Sequence, residues 1–226
     1  VRLLLLLLAM LIGVALLSLR YLPPEWDPRA PLNLDAPPNP VTDLKLWWLS
    51  QSPSACFAAF TASDIPVVRA PDRLSDSGCE VENAVLLPAG SRVVPRSPLA
   101  TCRLAAAWTL FERNTLQPAA RLHLGAEVAE VRHLGTYNCR NVNHAAAGRR
   151  SEHASANAID VAAFVLSSGR QVSVARDWPR PGPEAAFLRA VRDGACRWFN
   201  LVLGPDYNAA HQNHFHVDMG RWRGCR

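Results

Sequence analysis

The apolar positions change their period several times along the chain, and each change marks an element. Residues 3–19 carry no charge and lie between Arg2 and Arg20. These 17 residues at ~1.5 Å rise make roughly 26 Å of helix, just short of the ~30 Å hydrocarbon core of a bilayer. The run is long for a signal-peptide core and no small-x-small cleavage site follows it. It predicts an uncleaved membrane anchor over residues 1–22, with a cleaved signal segment as the alternative. Residues 23–40, "PPEWDPRAPLNLDAPPNP", then hold seven of the chain's 18 prolines. A segment so rich in proline cannot sustain a helix or a ladder, and it predicts an extended spacer. A single domain is expected over residues 41–226.

Inside that domain residues 97–114 read as a helix. Ser97 is placed to cap it, Pro98 suits its first turn, and Leu104, Trp108 and Phe111 share one face. Phe187, Leu188, Val191 and Ala195 form the stripe of a second helix over residues 184–199. A shorter helix is expected over residues 55–61. Strand patterns occupy residues 127–137, 158–166, 171–175 and 214–219. Helices and strands mixed without regular βαβ alternation predict an α+β fold, a central antiparallel sheet with flanking helices.

Charge alters this picture little. The formal net charge is +5, but Lys45 is the one lysine and the arginines are scattered along the chain. That distribution lacks the basic stripe of a nucleic-acid-binding surface, so no nucleic-acid partner is expected. A mild positive charge does favour anionic lipid or wall polymer. The six cysteines contain no CxxC pair and predict disulfides in an oxidising compartment. Connectivity cannot be read from spacing. Pairing neighbours in order would join Cys56 to Cys79, Cys102 to Cys139 and Cys196 to Cys225. Together with the apolar segment, the cysteines place the domain in the periplasm, held at the inner membrane or released after cleavage of a signal.

The richest stretch in chemistry is "HQNHFHVDMG". In a strand His214, His216 and Asp218 point one way while Phe215, Val217 and Met219 point into a core. Two imidazoles ~7 Å apart at their origins can converge on one ion, and His211 lies just upstream. A second stretch, "SEHASANAID", sets His153 seven residues before Asp160. That spacing is odd, so the two side chains can meet only if the chain bends between them, as its small residues allow. Asp160 then enters an apolar strand, where an unpaired carboxylate is costly to bury. Two imidazoles and a carboxylate make the donor set of a catalytic zinc site, and spacing alone does not choose between His214 and His216 as the second imidazole. Asp218 could accept an imidazole N–H from behind. Glu152, beside His153 in extended chain, is expected to point to solvent.

"SEHASANAID" resembles the Ser-x-His-x-x-(Gly/Ala)-x-Ala-x-Asp motif of the zinc peptidases that cut peptidoglycan cross-links, a group joining lysostaphin-type enzymes, D-alanyl-D-alanine carboxypeptidases and the hedgehog fold. "HFH" is similar to that group's His-x-His strand. More narrowly, "GTYNCRNVN", "SEHASANAIDVAAF" and "NHFHVDMG" resemble the bacterial family named for an extensin-like C-terminal domain. The resemblance implies a hedgehog/D-Ala-D-Ala-peptidase-like fold. It implies Zn2+ on His153, Asp160 and His216, with His214 as general base or transition-state stabiliser and His211 as second candidate. Arg140 falls where related peptidases hold substrate, and Ser151 would orient the loop or touch substrate. Where the carboxypeptidase branch has a basic Glu this chain has Asn213, so a His-based endopeptidase is expected. The implied protein is a zinc metallopeptidase of the envelope whose partner is peptidoglycan. The alternative is a zinc-containing wall-binding or structural module without turnover. Neither the bond cut nor the oligomeric state is legible.

Overall fold

The computed structural model describes residues 2–226 apart from Ser50, Ala89 and Ser97. The chain divides into two compact units, Val1–Asp64 and Ile65–Arg226. The division falls past the expected boundary at residue 41, because the proline-rich segment folds with the helices that follow it.

In the first unit α1 spans Arg2–Ser18, α2 Pro40–Leu49 and α3 Pro53–Ala62. Among the described residues no helix is long and apolar enough to cross a membrane. Pro23 to Asn39 forms neither helix nor strand, as its prolines require, yet it is not an extended spacer. Leu32 and Leu34 are buried, the Leu34 N–H donates to Ser63 Oγ at 2.7 Å, and the Asn39 amide donates to the Glu25 carbonyl at 3.0 Å. Proline forbids ladders, but it does not forbid burying the leucines between the turns. α3 matches the predicted short helix, with Ser52 as its cap; α2 was not predicted.

The second unit contains β1 Val68–Arg69, β2 Ala84–Leu86, β3 Arg92–Val94 and β4 Leu99–Thr101, then α4 Cys102–Phe111 and α5 Gln117–Leu124. These are followed by β5 Val128–Gly135, β6 Ala158–Leu166, β7 Gln171–Ser173, α6 Val174–Asp177, α7 Pro183–Trp198, β8 Leu201–Leu203, β9 Phe215–Asp218 and β10 Gly224–Cys225. The fold is α+β. The main sheet runs β10-β8-β9-β6-β5-β3, with β7 also on β6. Its centre, β8-β9-β6-β5, is antiparallel, and β10 and β3 add parallel edges. β1, β2 and β4 form a separate small sheet.

Helix α4 begins later than its sequence pattern suggests. Leu99–Thr101 is paired with Leu86–Ala84 in an antiparallel ladder, so those backbone groups are not free to start a helix. Thr101 is the cap, accepting from the Leu104 N–H at 3.2 Å; the proposed cap, Ser97, lies outside the described residues. The predicted face of Leu104, Trp108 and Phe111 is buried. Between α4 and α5 the helix widens to a π turn over Glu112–Leu116. Pro118 has no N–H to return to that turn, while Glu112 is held by the Gly90 and Ser91 N–H groups at 2.9 and 2.6 Å. The strand predicted at 171–175 stops at Ser173, whose N–H donates to Asp177 at 2.8 Å.

Among the described residues no cysteine is free. Cys196 pairs with Cys225 as expected, but Cys79 pairs with Cys139 across 60 residues. The expected Cys56–Cys79 and Cys102–Cys139 bonds are therefore wrong, although Cys56 and Cys102 are disulfide-bonded. Order along the chain does not by itself fix the pairing. The fold brings Cys79 to the turn after β5, where the Tyr137 hydroxyl also donates to the Cys79 carbonyl at 3.2 Å.

α7 packs on the π turn through Gly194, where an added Cβ would collide with the Thr115 side chain; the Thr115 hydroxyl also accepts from Trp198 Nε1 at 3.0 Å. Gly194→Ala should lower stability by about 1–3 kcal/mol, read as a shift of the urea midpoint at unchanged slope.

Candidate metal centre

β6 and β9 lie side by side in antiparallel register, with Asp160 directly opposite His216. Directly opposed residues share a face, so the register alone brings carboxylate and imidazole together. His153 arrives from a 3-10 turn, Glu152–Ser155, capped by the Ser151 hydroxyl accepting from the His153 N–H at 3.3 Å. Ala156, at φ 54 and ψ 30, is the left-handed residue that turns the chain into β6. The bend demanded by the seven-residue spacing is therefore present, and it sits among the small residues.

Three donor atoms meet at this point. His153 Nε2 lies 3.2 Å from Asp160 Oδ1 and 3.1 Å from His216 Nδ1, and His216 Nδ1 lies 2.9 Å from Asp160 Oδ1. The far side of each ring fixes what these atoms carry. His153 Nδ1 donates to the Thr136 carbonyl at 3.1 Å, and His216 Nε2 donates to Asp218 Oδ2 at 3.0 Å. Each neutral ring therefore turns its lone pair inward. Two nitrogen lone pairs and a carboxylate oxygen facing one another repel unless a cation stands among them. Donors set tetrahedrally around zinc at ~2.0–2.1 Å are roughly 3.3–3.4 Å apart, so the triangle fits a small ion with slight expansion. His153, Asp160 and His216 are the group that could hold a metal among the described residues.

The titration shifts follow from this crowding. Burial opposes the charged form of Asp160, yet the two histidines outweigh it and hold the carboxyl well below the ordinary range. Burial likewise opposes charge on His216, but Asp160 and Asp218 raise it to about 9. A proton on His216 thus occupies the cation's role when no metal is bound.

The remaining histidines flank the triangle. His214 Nε2 is 3.6 Å from Asp160 Oδ1, and its Nδ1 donates to Asn213 Oδ1 at 2.8 Å. His211, on the 3-10 turn Ala209–His211, donates from Nδ1 to Asn208 Oδ1 at 2.7 Å. Burial and the neighbouring imidazoles lower His211 to about 4, and burial lowers His214 as well. Both are neutral near pH 7 with Nε2 available to accept a proton. The Arg140 guanidinium, which donates from Nη1 to the Asn141 carbonyl at 3.3 Å, also disfavours charge on both. Its Nε is buried without a partner among the described residues. Ser151 serves as the cap of the His153 turn.

Glu152 is not directed to solvent. Its carboxylate accepts from the Asn157 amide at 2.8 Å and lies against Gly220, where a Cβ would meet it at 2.5 Å. Glu152 opens the 3-10 turn Glu152–Ser155 and is not extended, so the expectation for extended backbone does not apply. Thr136 and Asn208, which fix His153 and His211, were not foreseen. Thr136 acts through a carbonyl, which every residue has, and no sequence signal could have singled it out.

The fold and site define an α+β domain with a largely buried three-donor cluster. Residues 54–226 match the family described as extensin-like protein C-terminus, and the chain belongs to that family. No curated protein and no solved structure matches the chain.

The protonation pattern is testable. A His216 value raised above ~6.5 contributes stability that is fully present below pH ~6.5 and lost as pH rises through about 9. In chelator the melting temperature should fall across that window. One equivalent of zinc should remove the slope and release protons at pH 7, measured by calorimetry in buffers of different ionisation enthalpy. A flat profile in chelator would refute the assignment.

Proposed function

We propose that the protein is a zinc-dependent hydrolase of the bacterial envelope that acts on peptidoglycan peptide cross-links. The observation that carries this reading is the convergence of three inward lone pairs beside a neutral histidine. The relation to the lysostaphin, D-Ala-D-Ala-peptidase and hedgehog group belongs to the same proposal. In its favour are the antiparallel β6–β9 pair, the turn-borne His153 and the disulfides suited to an oxidising compartment.

His153 Nε2, His216 Nδ1 and Asp160 would hold the ion, leaving a position for water. An ion such as zinc, held there, would make hydroxide available at neutral pH and would polarise the scissile carbonyl. The chain does the rest. Thr136 and Asp218 hold the two imidazoles in the tautomers the ion needs. His214, kept neutral by burial, accepts the proton of the attacking water at Nε2 and passes it to the leaving amine; His211 stands behind it as a second base. Arg140 is suited to a substrate carboxylate, which its guanidinium can grip in bidentate fashion. Asn213 orients His214 and cannot itself serve as a base, which favours the His-based endopeptidase over the carboxypeptidase branch. The N-terminal segment is proposed to hold the protein at the inner membrane, with the domain facing the periplasm.

Disulfide-intact protein should bind about one zinc per chain, and Asp160→Ala should abolish binding. Incubation with purified sacculi should release cleaved muropeptides. His214→Ala should retain zinc yet lose about 10²–10⁴-fold in rate, measured by chromatography of the released fragments. Zinc bound at full occupancy with intact sacculi would instead assign the chain to the wall-binding module.

A further inference from the structure

The first unit contains a helix whose polarity is reversed. On α2 the side turned into the unit carries Thr42, Lys45, Leu46 and Leu49, all buried. The opposite side presents Leu44, Trp47 and Trp48 at positions i, i+3 and i+4, exposed by 45%, 49% and 49%. A helix in water places its lysine outside and its tryptophans inside. Here the one lysine is inside, its Nζ donating to the Pro24 carbonyl at 2.6 Å, while two indoles meet edge-on at the surface, 5.2 Å between centroids.

Two further observations say what covers this face. Leu44 and Trp48 line one side of an open cavity of about 570 Å³ whose other walls include Pro31, Leu32, Ala55 and Ala58 together with Arg29 and Lys45, a mostly apolar space of a size that takes a hydrocarbon chain. Tyr21, Leu22 and Trp26 are also exposed, and they follow directly on α1, whose Leu3–Leu8, Met10 and Val14 stand exposed as well. α1 has 17 residues, about 26 Å of helix against ~30 Å of hydrocarbon. A short apolar helix depends on flanking aromatic residues that sit at the headgroup boundary.

We propose that the Leu44–Trp47–Trp48 face of α2 docks in the lipid bilayer interface, with its indoles at the headgroup level and the cavity beside them open to acyl chains. The inference rests on the membrane-attached reading of the N-terminal segment and adds to it a second contact. The attraction is apolar burial, so it does not require anionic lipid. With α1 in the membrane, the face holds the first unit against the surface and does not leave it tethered by a loose spacer.

The full chain is reconstituted with vesicles of phosphatidylcholine, and of phosphatidylcholine with phosphatidylglycerol, containing lipids brominated near the glycerol end or near the chain end. Co-flotation reports attachment, and bromine quenching of tryptophan reports the face. Quenching is expected in both compositions and more strongly from the glycerol end. It should fall by about half or more in Trp47→Ser/Trp48→Ser and stay unchanged in Trp222→Ser, because interfacial indoles are the ones within reach of the bromine. Trp48→Phe, which keeps an apolar ring, should still float and lose Trp48's share of the quenching. Flotation without quenching that depends on Trp47 and Trp48 overturns the docking face and leaves the attachment reading intact; absence of flotation overturns both. If the unquenched protein is instead a dimer that Trp47→Ser/Trp48→Ser dissociates, the face belongs to a second copy of the chain.

Discussion

Everything at the candidate centre depends on the pairing of β6 with β9. The register that sets Asp160 opposite His216 also sets Ala158 opposite Asp218 and Ile159 opposite Val217. A slip of one residue would turn the Asp160 carboxylate to the other face and leave it buried without its imidazoles. The register is held from both sides. β9 is also paired to β8, and Phe215 and Val217 on its other face are buried. Apolar packing thus fixes one face, and the fixed face positions the polar one.

That arrangement governs charge as well as geometry. Asp160 and Asp218 bring two negative charges to two imidazoles. A proton on His216 compensates one of them, and a divalent ion compensates both. In a buried setting the second outcome avoids an uncompensated charge, so the pair of carboxylates favours the proposed metal over the proton. Nearby, Arg103 feels the charges of Glu152 and Asp218, and the Glu152 carboxylate is bound by Asn157. Asn157 also accepts from the Thr101 hydroxyl at 2.8 Å, which ties the cap of α4 to the loop that carries His153. The polar residues behind the site are therefore continuous with the start of a core helix.

Legibility in the sequence followed the range of the interactions. β6 is legible to the residue, and α7 nearly so, because β6 is a long apolar run and α7 carries one helical stripe. The meeting of His153 with Asp160 was also readable, since an odd spacing and a run of small residues together imply a bend, and Ala156 supplies it. The start of α4 was not. Leu99–Thr101 could have opened a helix on local grounds, and it is a strand because Ala84–Leu86 pairs with it. The pairing of Cys79 with Cys139 likewise depends on contacts 60 residues apart. Proline content excludes regular structure in residues 23–39 but says nothing about where Leu32 and Leu34 go, and these leucines are buried.

The two units bury different kinds of surface, and this separates their physics. In the second unit three polar residues buried at the centre have partners: His153 with Thr136, His216 with Asp218, Asn157 with Glu152. In the first unit a lysine is buried against a carbonyl while Leu44, Trp47 and Trp48 face outward. Burying an ammonium has a cost even with a good acceptor, and exposing indoles forgoes the gain of covering them. The second penalty diminishes if the outer face is covered by lipid, since the indoles then regain their burial, while the lysine depends on its carbonyl partner in either case. The proposed interfacial docking would account for the polarity of α2 by covering the face that carries its indoles.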